Sequence, residues 1–221
     1  MDAITIRDLF DLTHSRAGGA LASYTYPWEA LSHIGDIVLA VGKTLDPVRY
    51  DHPQEDVWIA KTAKVYPTAS IAGPCVIGED TEVRPGAFLR GSILVGDGAV
   101  VGNSSELKNC ILFDGVQVPH YNYVGDSILG YKAHMGAGSI TSNVKSDKKL
   151  VVVKDGAERI ETGLKKFGAM LGDEVEVGCG SVLNPGTVIG RHSNIYPLSS
   201  VREVVPANSI YKKRGEVAEK H

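Results

Sequence analysis

An aliphatic or aromatic side chain stands at every sixth position for ten consecutive positions between Ile59 and Phe113. The same spacing returns, after an interruption, between Leu171 and Val201. An α-helix repeats its apolar face every 3.6 residues and a strand every 2, so neither produces a period of six. The apolar positions are Ile59, Val65, Ile71, Ile77, Val83, Leu89, Val95, Val101, Leu107, Phe113, Leu171, Val177, Leu183, Ile189, Ile195 and Val201. A short fixed period predicts a solenoid, in which each rung buries its apolar residue only by stacking on the next rung.

The residue after the apolar one is often small, which lets the backbone turn a tight corner. Examples are Ala60, Ala72, Gly78, Gly96, Gly102, Gly172, Gly178 and Gly190. This pattern resembles the hexapeptide-repeat family, in which three hexapeptides form one triangular coil of about 18 residues. The resemblance implies an all-β solenoid, namely a left-handed parallel β-helix of hexapeptide repeats. The residues before the repeat are expected to add a small helical N-terminal cap.

The repeat divides the chain into three parts. Residues 1–55 lack the period and are predicted to form a mostly helical cap over the first coil, with a helix starting at Pro27 and ending near Gly42. A partner-binding module is the alternative. Residues 56–206 are predicted to form the β-helix, with a register slip near Val124 and a β-hairpin insert at 142–166. Residues 207–221 form a C-terminal tail.

The composition excludes several classes of protein. The net charge of −3 gives no electrostatic reason to expect nucleic acid as a partner. The three cysteines are odd in number and widely spaced, so they suggest neither a disulfide framework nor a metal site. The sequence shows no signal peptide and no apolar stretch long enough to span a membrane. We therefore expect a cytoplasmic protein.

Two large cations stand where the repeat otherwise favours small residues. Arg90 and Lys108 are one 18-residue coil apart, so they are predicted to lie one above the other along one edge. Stacked cations repel unless an anion lies between or beside them, and a phosphate suits a guanidinium and an ammonium group. The alternative is that each cation pairs with a nearby carboxylate, such as Glu106 or Asp126.

His120 is a second candidate, twelve residues after Lys108. A histidine with an ordinary pKa of about 6.5 takes up a proton at neutral pH, which a reaction of a protonated amine requires. Glu106 is a candidate to orient its ring. The alternative is a structural histidine.

Three motifs then follow in order between about Phe88 and Arg214. The segment 102–109 reads GNSSELKN and resembles GN-x-x-E-x-K; 120–126 reads HYNYVGD and resembles H-x-x-Y-x-G-D; 136–143 reads GAGSITSN and resembles GAGT-x-x-x-N. Together they resemble the acetyltransferase half of the bifunctional N-acetylglucosamine-1-phosphate uridylyltransferase/glucosamine-1-phosphate acetyltransferase. The archaeal-type sugar-1-phosphate nucleotidylyltransferases with the same C-terminal domain are similar as well.

The resemblance implies a role for each matching residue. His120, supported by Glu106, would deprotonate the sugar amine, which would attack the thioester of acetyl-CoA directly. The sugar 1-phosphate would be held by Arg90 and Lys108. Contacts to the sugar would come from Tyr123, His134 and Asn143, and contacts to acetyl-CoA from Ala137, Cys179, Pro197 and Arg214. The family is trimeric, with each site built where subunits meet.

The sequence also departs from the family pattern. His134 stands where the bacterial enzymes have asparagine, Val144 replaces a tyrosine and Pro197 replaces an alanine. The glycine-rich loop of the nucleotidylyltransferase half does not occur, and 55 N-terminal residues are too few for a mononucleotide-binding domain, so we expect no uridylyl transfer.

These observations lead to one expected function and two alternatives. We expect a homotrimeric, acetyl-CoA-dependent N-acetyltransferase acting on an amino-sugar 1-phosphate in UDP-N-acetylglucosamine biosynthesis, without a metal. The first alternative is a non-catalytic or regulatory relative that binds sugar phosphate or CoA. A γ-class carbonic anhydrase-like metalloenzyme is disfavoured, because the spacings of His120, His134 and His192 do not match that family.

Overall fold

A computed structural model of the chain describes residues 4–213 and 215–220. Within those residues, helical structure is confined to the first 44 positions. It comprises α1 (Ile6–Leu9), a 3₁₀ turn (Leu12–His14), α2 (Gly18–Leu21), a 3₁₀ helix (Pro27–His33) and α3 (Ile34–Thr44). The helix predicted to start at Pro27 is therefore a 3₁₀ helix that continues directly into an α-helix.

The rest of the described chain is built from short strands. In chain order they are β1 (Tyr50–Gln54), β2 (Val57–Ala60), β3 (Lys64–Val65), β4 (Ser70–Ile71), β5 (Cys75–Ile77), β6 (Glu82–Val83), β7 (Phe88–Leu89), β8 (Ile93–Val95), β9 (Val100–Asn103), β10 (Glu106–Leu112), β11 (Gln117–His120), β12 (Tyr123–Leu129), β13 (His134–Met135), β14 (Ile140–Thr141), β15 (Val152–Asp155), β16 (Glu158–Glu161), β17 (Ala169–Leu171), β18 (Glu176–Val177), β19 (Val182–Leu183), β20 (Thr187–Ile189), β21 (Asn194–Ile195), β22 (Ser200–Val201), β23 (Val204–Val205), β24 (Ser209–Lys213) and β25 (Glu216–Glu219).

The strands form the left-handed parallel β-helix that the six-residue period predicts. Parallel pairing joins β2, β5, β8, β17, β20 and β23 in the first face, and β3, β6, β9, β11, β13, β18, β21 and β24 in the second. The third face contains β4, β7, β14, β19 and β22, while β10 and β12 bend from the third face into the first. Ile59, Ile77 and Val95 are direct neighbours in adjacent coils, so the inward apolar residues stack as expected.

The register slip differs from its predicted position. Val95 pairs with Leu112 and Leu112 pairs with Leu129, so two successive coils contain 17 residues instead of 18. The first residue is lost between Leu107 and Leu112, one coil before the slip predicted near Val124. Phe113, assigned by the six-residue count to an inward position, instead turns the corner and packs on Phe10 of the N-terminal segment, with ring centroids 5.1 Å apart.

Both shortened corners depend on a residue in the left-handed conformation. Asn109 and Asp126 each have a φ of +49° and lie in the middle of β10 and β12. Asparagine and aspartate tolerate this conformation better than other residues with a Cβ atom. A single left-handed residue therefore replaces the longer corner and lets each strand continue from the third face to the first.

The N-terminal segment (residues 4–49) is helical as predicted, but it covers the side of the solenoid and not only its first coil. The carbonyl oxygen of Leu9 accepts from the backbone N–H of Asp173, and that of His14 accepts from Asp114 N–H, both at 3.0 Å. The chain then returns, so that Trp28 stacks on Phe167 at 5.8 Å, and α3 crosses β10, β8 and β5. This packing spans several coils, because the segment buries its apolar side chains against a surface that those coils build together.

The insert contains a β-hairpin that leaves and re-enters the solenoid at the corner between the third and first faces. β15 pairs antiparallel with β16, and Asp155 lies opposite Glu158 across a two-residue turn. Val151 and Val153 are fully buried, which fixes the hairpin against the later coils. Ile195 pairs with Tyr211, so β24 adds a further strand to the second face before it pairs antiparallel with β25.

Candidate active site

The third face carries most of the residues that the sequence singles out. His120 lies at its corner with the second face, Glu106 and Tyr123 point outward from it, and Arg90 and Lys108 lie at its corner with the first face. The pairing of Glu106 with Phe88 and with Tyr123 fixes this register. One chain therefore places the predicted base and the predicted phosphate-binding cations at opposite edges of the same face.

Four predicted residues form a single file along one corner, which we call the His120 column: His120, Ala137, Cys179 and Pro197. Backbone bonds join their coils, because Gly138 N–H donates to His120 O at 3.0 Å and Gly180 N–H donates to Ala137 O at 2.8 Å. Leu198 N–H donates to Cys179 O at 2.9 Å in the same way. All four side chains are exposed, so the predicted base and the predicted acetyl-CoA contacts share one continuous solvent-facing edge.

The carboxylate predicted to support His120 has another partner in this chain. Glu106 Oε1 accepts from Arg90 Nη1 at 2.6 Å. Within the described part of the chain, the His120 ring nitrogens have no hydrogen-bond partner. The Glu106–His120 interaction implied by the resemblance is therefore not a contact of the single chain, and the ring of His120 is free to meet a ligand.

Asn122, which the sequence does not single out, fixes the backbone of the His120 corner. Its side chain is 2% exposed. Its Oδ1 accepts from His120 N–H at 3.0 Å, and its Nδ2 donates to Gly136 O at 2.9 Å and to Ser139 O at 3.1 Å. The Asn122 amide thus joins the coil of His120 to the next coil. In the sequence, the only signal of this role is the position of Asn122 inside a tight corner.

Arg90 and Lys108 occupy adjacent coils at the opposite edge, as the 18-residue spacing predicts. Lys108 Nζ lies 3.4 Å from both carboxylate oxygens of Asp126, while Arg90 is bonded to Glu106. These are the two carboxylate pairings that the sequence leaves open as the alternative to an anion. The guanidinium uses one of its five donors on Glu106, so most of its hydrogen-bonding capacity is left for a ligand.

Asp126 is the centre of a group that we call the Lys108 cluster: Lys108, Asn109, Tyr123, Asp126 and Asn143. Asp126 is 4% exposed and accepts from Asn109 Nδ2 at 2.9 Å and from Asn143 Nδ2. Asn143 Nδ2 also donates to the Tyr123 hydroxyl oxygen at 3.2 Å. Burial and then the charges of Asp126 and Glu106 raise the pKa of Tyr123, so its hydroxyl stays protonated and is available as a donor.

His134 lies on the second face, beside the His120 column and apart from the Lys108 cluster. Its Nδ1 is 2.7 Å from Glu176 Oε2. It borders a shallow groove of about 260 Å³ that Cys179 and Pro197 also line. The structure therefore brings His134 next to the predicted acetyl-CoA contacts, whereas Tyr123 and Asn143 lie with the cations.

Two bulky residues at the corner of the His120 column have a left-handed backbone: Tyr121 follows His120 directly, and Leu198 lies three coils further on. Tyr121 and Leu198 have φ values of +51° and +60°, and their side chains are 65% and 85% exposed. Glycine takes the same place in other coils, at Gly138 and Gly180. A large residue in the left-handed conformation is strained, and such strain is concentrated at functional sites.

Some predictions concern residues or groups away from these clusters. Arg214, the predicted contact for a CoA phosphate, lies outside the described residues. His192 lies at the corner between the first and second faces, paired with Glu174 at 3.2 Å, and so is separated from His120. Among residues 4–213 and 215–220, no group of three His, Cys, Asp or Glu side chains is placed to hold a metal ion. No helix in the same residues is long and apolar enough to cross a bilayer.

The fold and the two clusters define a hexapeptide-repeat β-helix with a charged site on one face. Comparison with known families is more specific: residues 71–195 match the family described as GMPPB C-terminal domain. The chain belongs to this family. The resemblance to sugar-1-phosphate nucleotidylyltransferases with a hexapeptide-repeat C-terminal half is confirmed.

Curated relatives agree with this assignment. The bifunctional sugar-1-phosphate nucleotidylyltransferase/acetyltransferase of Sulfurisphaera tokodaii is 33% identical over 174 residues, which are 71% of this chain and 43% of that protein. The bifunctional protein GlmU of Methanococcus maripaludis is 33% identical over 206 residues, 84% of this chain and 47% of that protein. The chain thus spans less than half the length of these relatives.

Solved structures are more distant. A mutant of perosamine N-acetyltransferase from Caulobacter crescentus, crystallised in complex with CoA and GDP-perosamine, aligns with 70% of this chain and 51% of its own. The sequence identity is 15% and the TM-score is 0.32.

Proposed function

We propose that the chain is an acetyl-CoA-dependent N-acetyltransferase whose acceptor is an amino-sugar 1-phosphate. The observation that carries the proposal is the placement of the His120 column and the Lys108 cluster at opposite edges of one face. A sugar lying across this face would present its amine to His120 and its phosphate to Arg90 and Lys108. The relatives whose names include an acetyltransferase activity support the same reaction class.

The chemistry requires few groups. The acceptor amine is protonated at neutral pH, and His120 takes one proton to give a neutral nucleophile. The amine nitrogen then forms a bond to the thioester carbonyl carbon of acetyl-CoA and gives up its second proton to solvent, while the carbon–sulfur bond breaks to leave a neutral amide and the CoA thiolate. The imidazolium returns its proton to the departing thiolate. The exposed edge along Ala137, Cys179 and Pro197 would carry the acetyl-CoA chain toward His120.

The free chain holds both phosphate-binding cations against carboxylates. The acceptor phosphate would therefore compete with Glu106 for Arg90 and with Asp126 for Lys108. Lys108 is the easier to recruit, because its separation of 3.4 Å from Asp126 is long for a charged hydrogen bond. In a homotrimer, neighbouring subunits would add residues to this site. The carboxylate partner of His120, which the single chain does not supply, stays a prediction.

The pairing of Glu106 with Arg90 favours a second candidate. A relative that binds sugar phosphate or CoA without transfer would need the cations and the column but no carboxylate on His120. The His134–Glu176 contact points the same way, since it occupies a side chain predicted to meet the sugar.

The test is thiol release from acetyl-CoA with a panel of amino-sugar 1-phosphates. We expect His120→Ala to lower kcat by about 10²- to 10⁴-fold, the range for loss of a general base. His192→Ala is the matched control, because it removes another exposed histidine from a different corner. Full activity in His120→Ala would refute the mechanism. A folded parent that binds CoA or sugar phosphate but releases no thiol would establish the non-catalytic candidate.

A further inference from the structure

A second cationic groove lies between the insert and the last coils, at the corner of the third and first faces. Its volume is about 360 Å³, within the range of small-molecule sites. Three cations line it, Lys145, Lys154 and Arg202, against one carboxylate, Asp147. The groove is therefore positive in a chain whose net charge is −3.

The cations are not all neutralised. Lys145 Nζ lies 3.4 Å from Asp147 Oδ2. Lys154 and Arg202 have no carboxylate partner within the described ranges 4–213 and 215–220, and both are exposed. Lys154 also stands directly opposite Arg159 in the hairpin, and like charges in that arrangement repel. The Arg159 guanidinium donates to the carbonyl oxygens of Gly156 and Glu158 at the hairpin turn and does not line the groove, so Lys154 and Arg202 are the cations available to an anion there.

The groove is separate from the Lys108 cluster. Strand pairing places Lys108, Gly125, Ser142, Asn184 and Arg202 at equivalent positions of successive coils. Four steps of about 4.8 Å put Arg202 roughly 19 Å from Lys108. One phosphate therefore cannot contact both.

The groove wall is fixed and partly apolar. Val151 N–H donates to Leu164 O at 2.8 Å, and the Thr162 hydroxyl donates to Val151 O at 2.6 Å, so the base of the hairpin is held in place. Val152 and Pro185 line the groove beside the cations. A ligand that fits this groove therefore carries a phosphate group next to an uncharged and partly apolar part of the same molecule.

We propose that this groove binds a nucleoside phosphate, with Lys154 and Arg202 holding its phosphate groups. The site is additional to the proposed transfer reaction and does not depend on it. Lys154 lies on the hairpin and Arg202 directly after a strand of the solenoid, and two cations without carboxylate partners suit two phosphates better than one. The apolar wall is placed to cover the nucleoside.

The test is calorimetric titration of the full chain with inorganic diphosphate, GDP, UDP and CoA. We expect a nucleoside diphosphate to bind, and Lys154→Gln and Arg202→Gln each to weaken binding roughly tenfold, as expected for one charge-assisted contact. Lys149→Gln makes the same charge change in the insert outside the groove and should alter affinity less than about twofold. Lys154→Arg should retain binding, which separates loss of the contact from misfolding.

Several results would overturn the proposal. The first is that the parent binds no nucleoside diphosphate. The second is that the double variant Lys154→Gln, Arg202→Gln binds with unchanged affinity. The third is that Arg90→Gln alone abolishes binding. Binding of CoA that the double variant retains, without binding of GDP or UDP, would also overturn it. Thiol release is measured separately, so this outcome and that of the transfer reaction are read independently.

Discussion

Replacing Asn122 by alanine should disturb both the stability of the solenoid and the position of the proposed base. The buried amide makes one bond to the backbone N–H of His120 and two to carbonyl oxygens of the next coil, on Gly136 and Ser139. Alanine makes none of these bonds. Gly136 O still accepts from Ser139 N–H at 3.1 Å and from Ser139 Oγ at 2.7 Å, so His120 N–H and Ser139 O are the two groups left without a partner among the described residues.

The magnitude follows from the groups left unsatisfied. A buried donor or acceptor that loses its partner costs about 1–3 kcal/mol. With two such groups, and a small cavity that can admit one water, we expect Asn122→Ala to lower the free energy of unfolding by about 2–4 kcal/mol. Ser193→Ala is the control, because Ser193 Oγ also bonds backbone groups, but at a different corner: it donates to Pro206 O at 2.8 Å, with Arg191 O further away at 3.4 Å, and accepts from Ser209 N–H. Its expected cost is about 1–3 kcal/mol.

Two measurements separate the local effect from the global one. Chemical denaturation gives the free energy of unfolding, and hydrogen exchange gives the protection of the His120 amide, which Asn122 caps directly. We expect that protection to fall in Asn122→Ala and to persist in Ser193→Ala, with thiol release reduced only in the former. An Asn122→Ala protein within about 1 kcal/mol of the parent, with its His120 amide still protected, would refute the reasoning.

Three further outcomes are expected. A Cβ atom on Gly102 would lie 1.6 Å from Pro119 O, so Gly102→Ala should prevent stable folding. The control is Gly98→Ala, because Gly98 has open space around it and a φ of +64°. Thermal unfolding should show that this control costs only about 1–2 kcal/mol of stability. Trp28→Ala should cost about 3–5 kcal/mol and expose the N-terminal segment to limited proteolysis; equal protease resistance would contradict the packing. Burial raises the pKa of Asp114 above 3.8, so its protonated form is favoured in the fold. The stability of the parent relative to Asp114→Asn should therefore fall as pH rises from below 3.8 through the folded-state pKa, as measured by denaturation at several pH values.

The sequence predicts the solenoid well because its period is a local property. Each inward residue is six positions from the next, and this count holds from Ile59 to Leu107. It fails at Asn109, because a left-handed asparagine removes one residue from a corner without changing the apolar pattern on either side. Phe113 still looks inward by counting, yet it is buried by Phe10, a contact that no short window of sequence contains.

The same distinction applies to the site. The stacking of Arg90 and Lys108 follows from the length of one coil, and so does the presence of Glu106 in the same region. The pairing of each carboxylate with a cation depends on the directions of the side chains, which the spacing does not determine. In the structure, Glu106 pairs with Arg90. From the sequence, Asp126 was predictable only as a possible partner of Lys108. Its two amide donors, Asn109 and Asn143, lie at a left-handed corner and at the root of the insert, where the six-residue pattern is interrupted.

The placement of the N-terminal segment has a consequence for synthesis. Asp11 N–H donates to Asp173 Oδ2, a contact between residues 162 apart. At about 5–20 residues per second, ribosomes need roughly 10 to 30 s to produce the second partner after the first. During that interval Leu9 and Phe10 have no completed solenoid side to cover, so the nascent chain exposes apolar surface that a chaperone can recognise. This segment is made long before the coils that it covers, so it is among the last parts of the chain that can reach their final contacts.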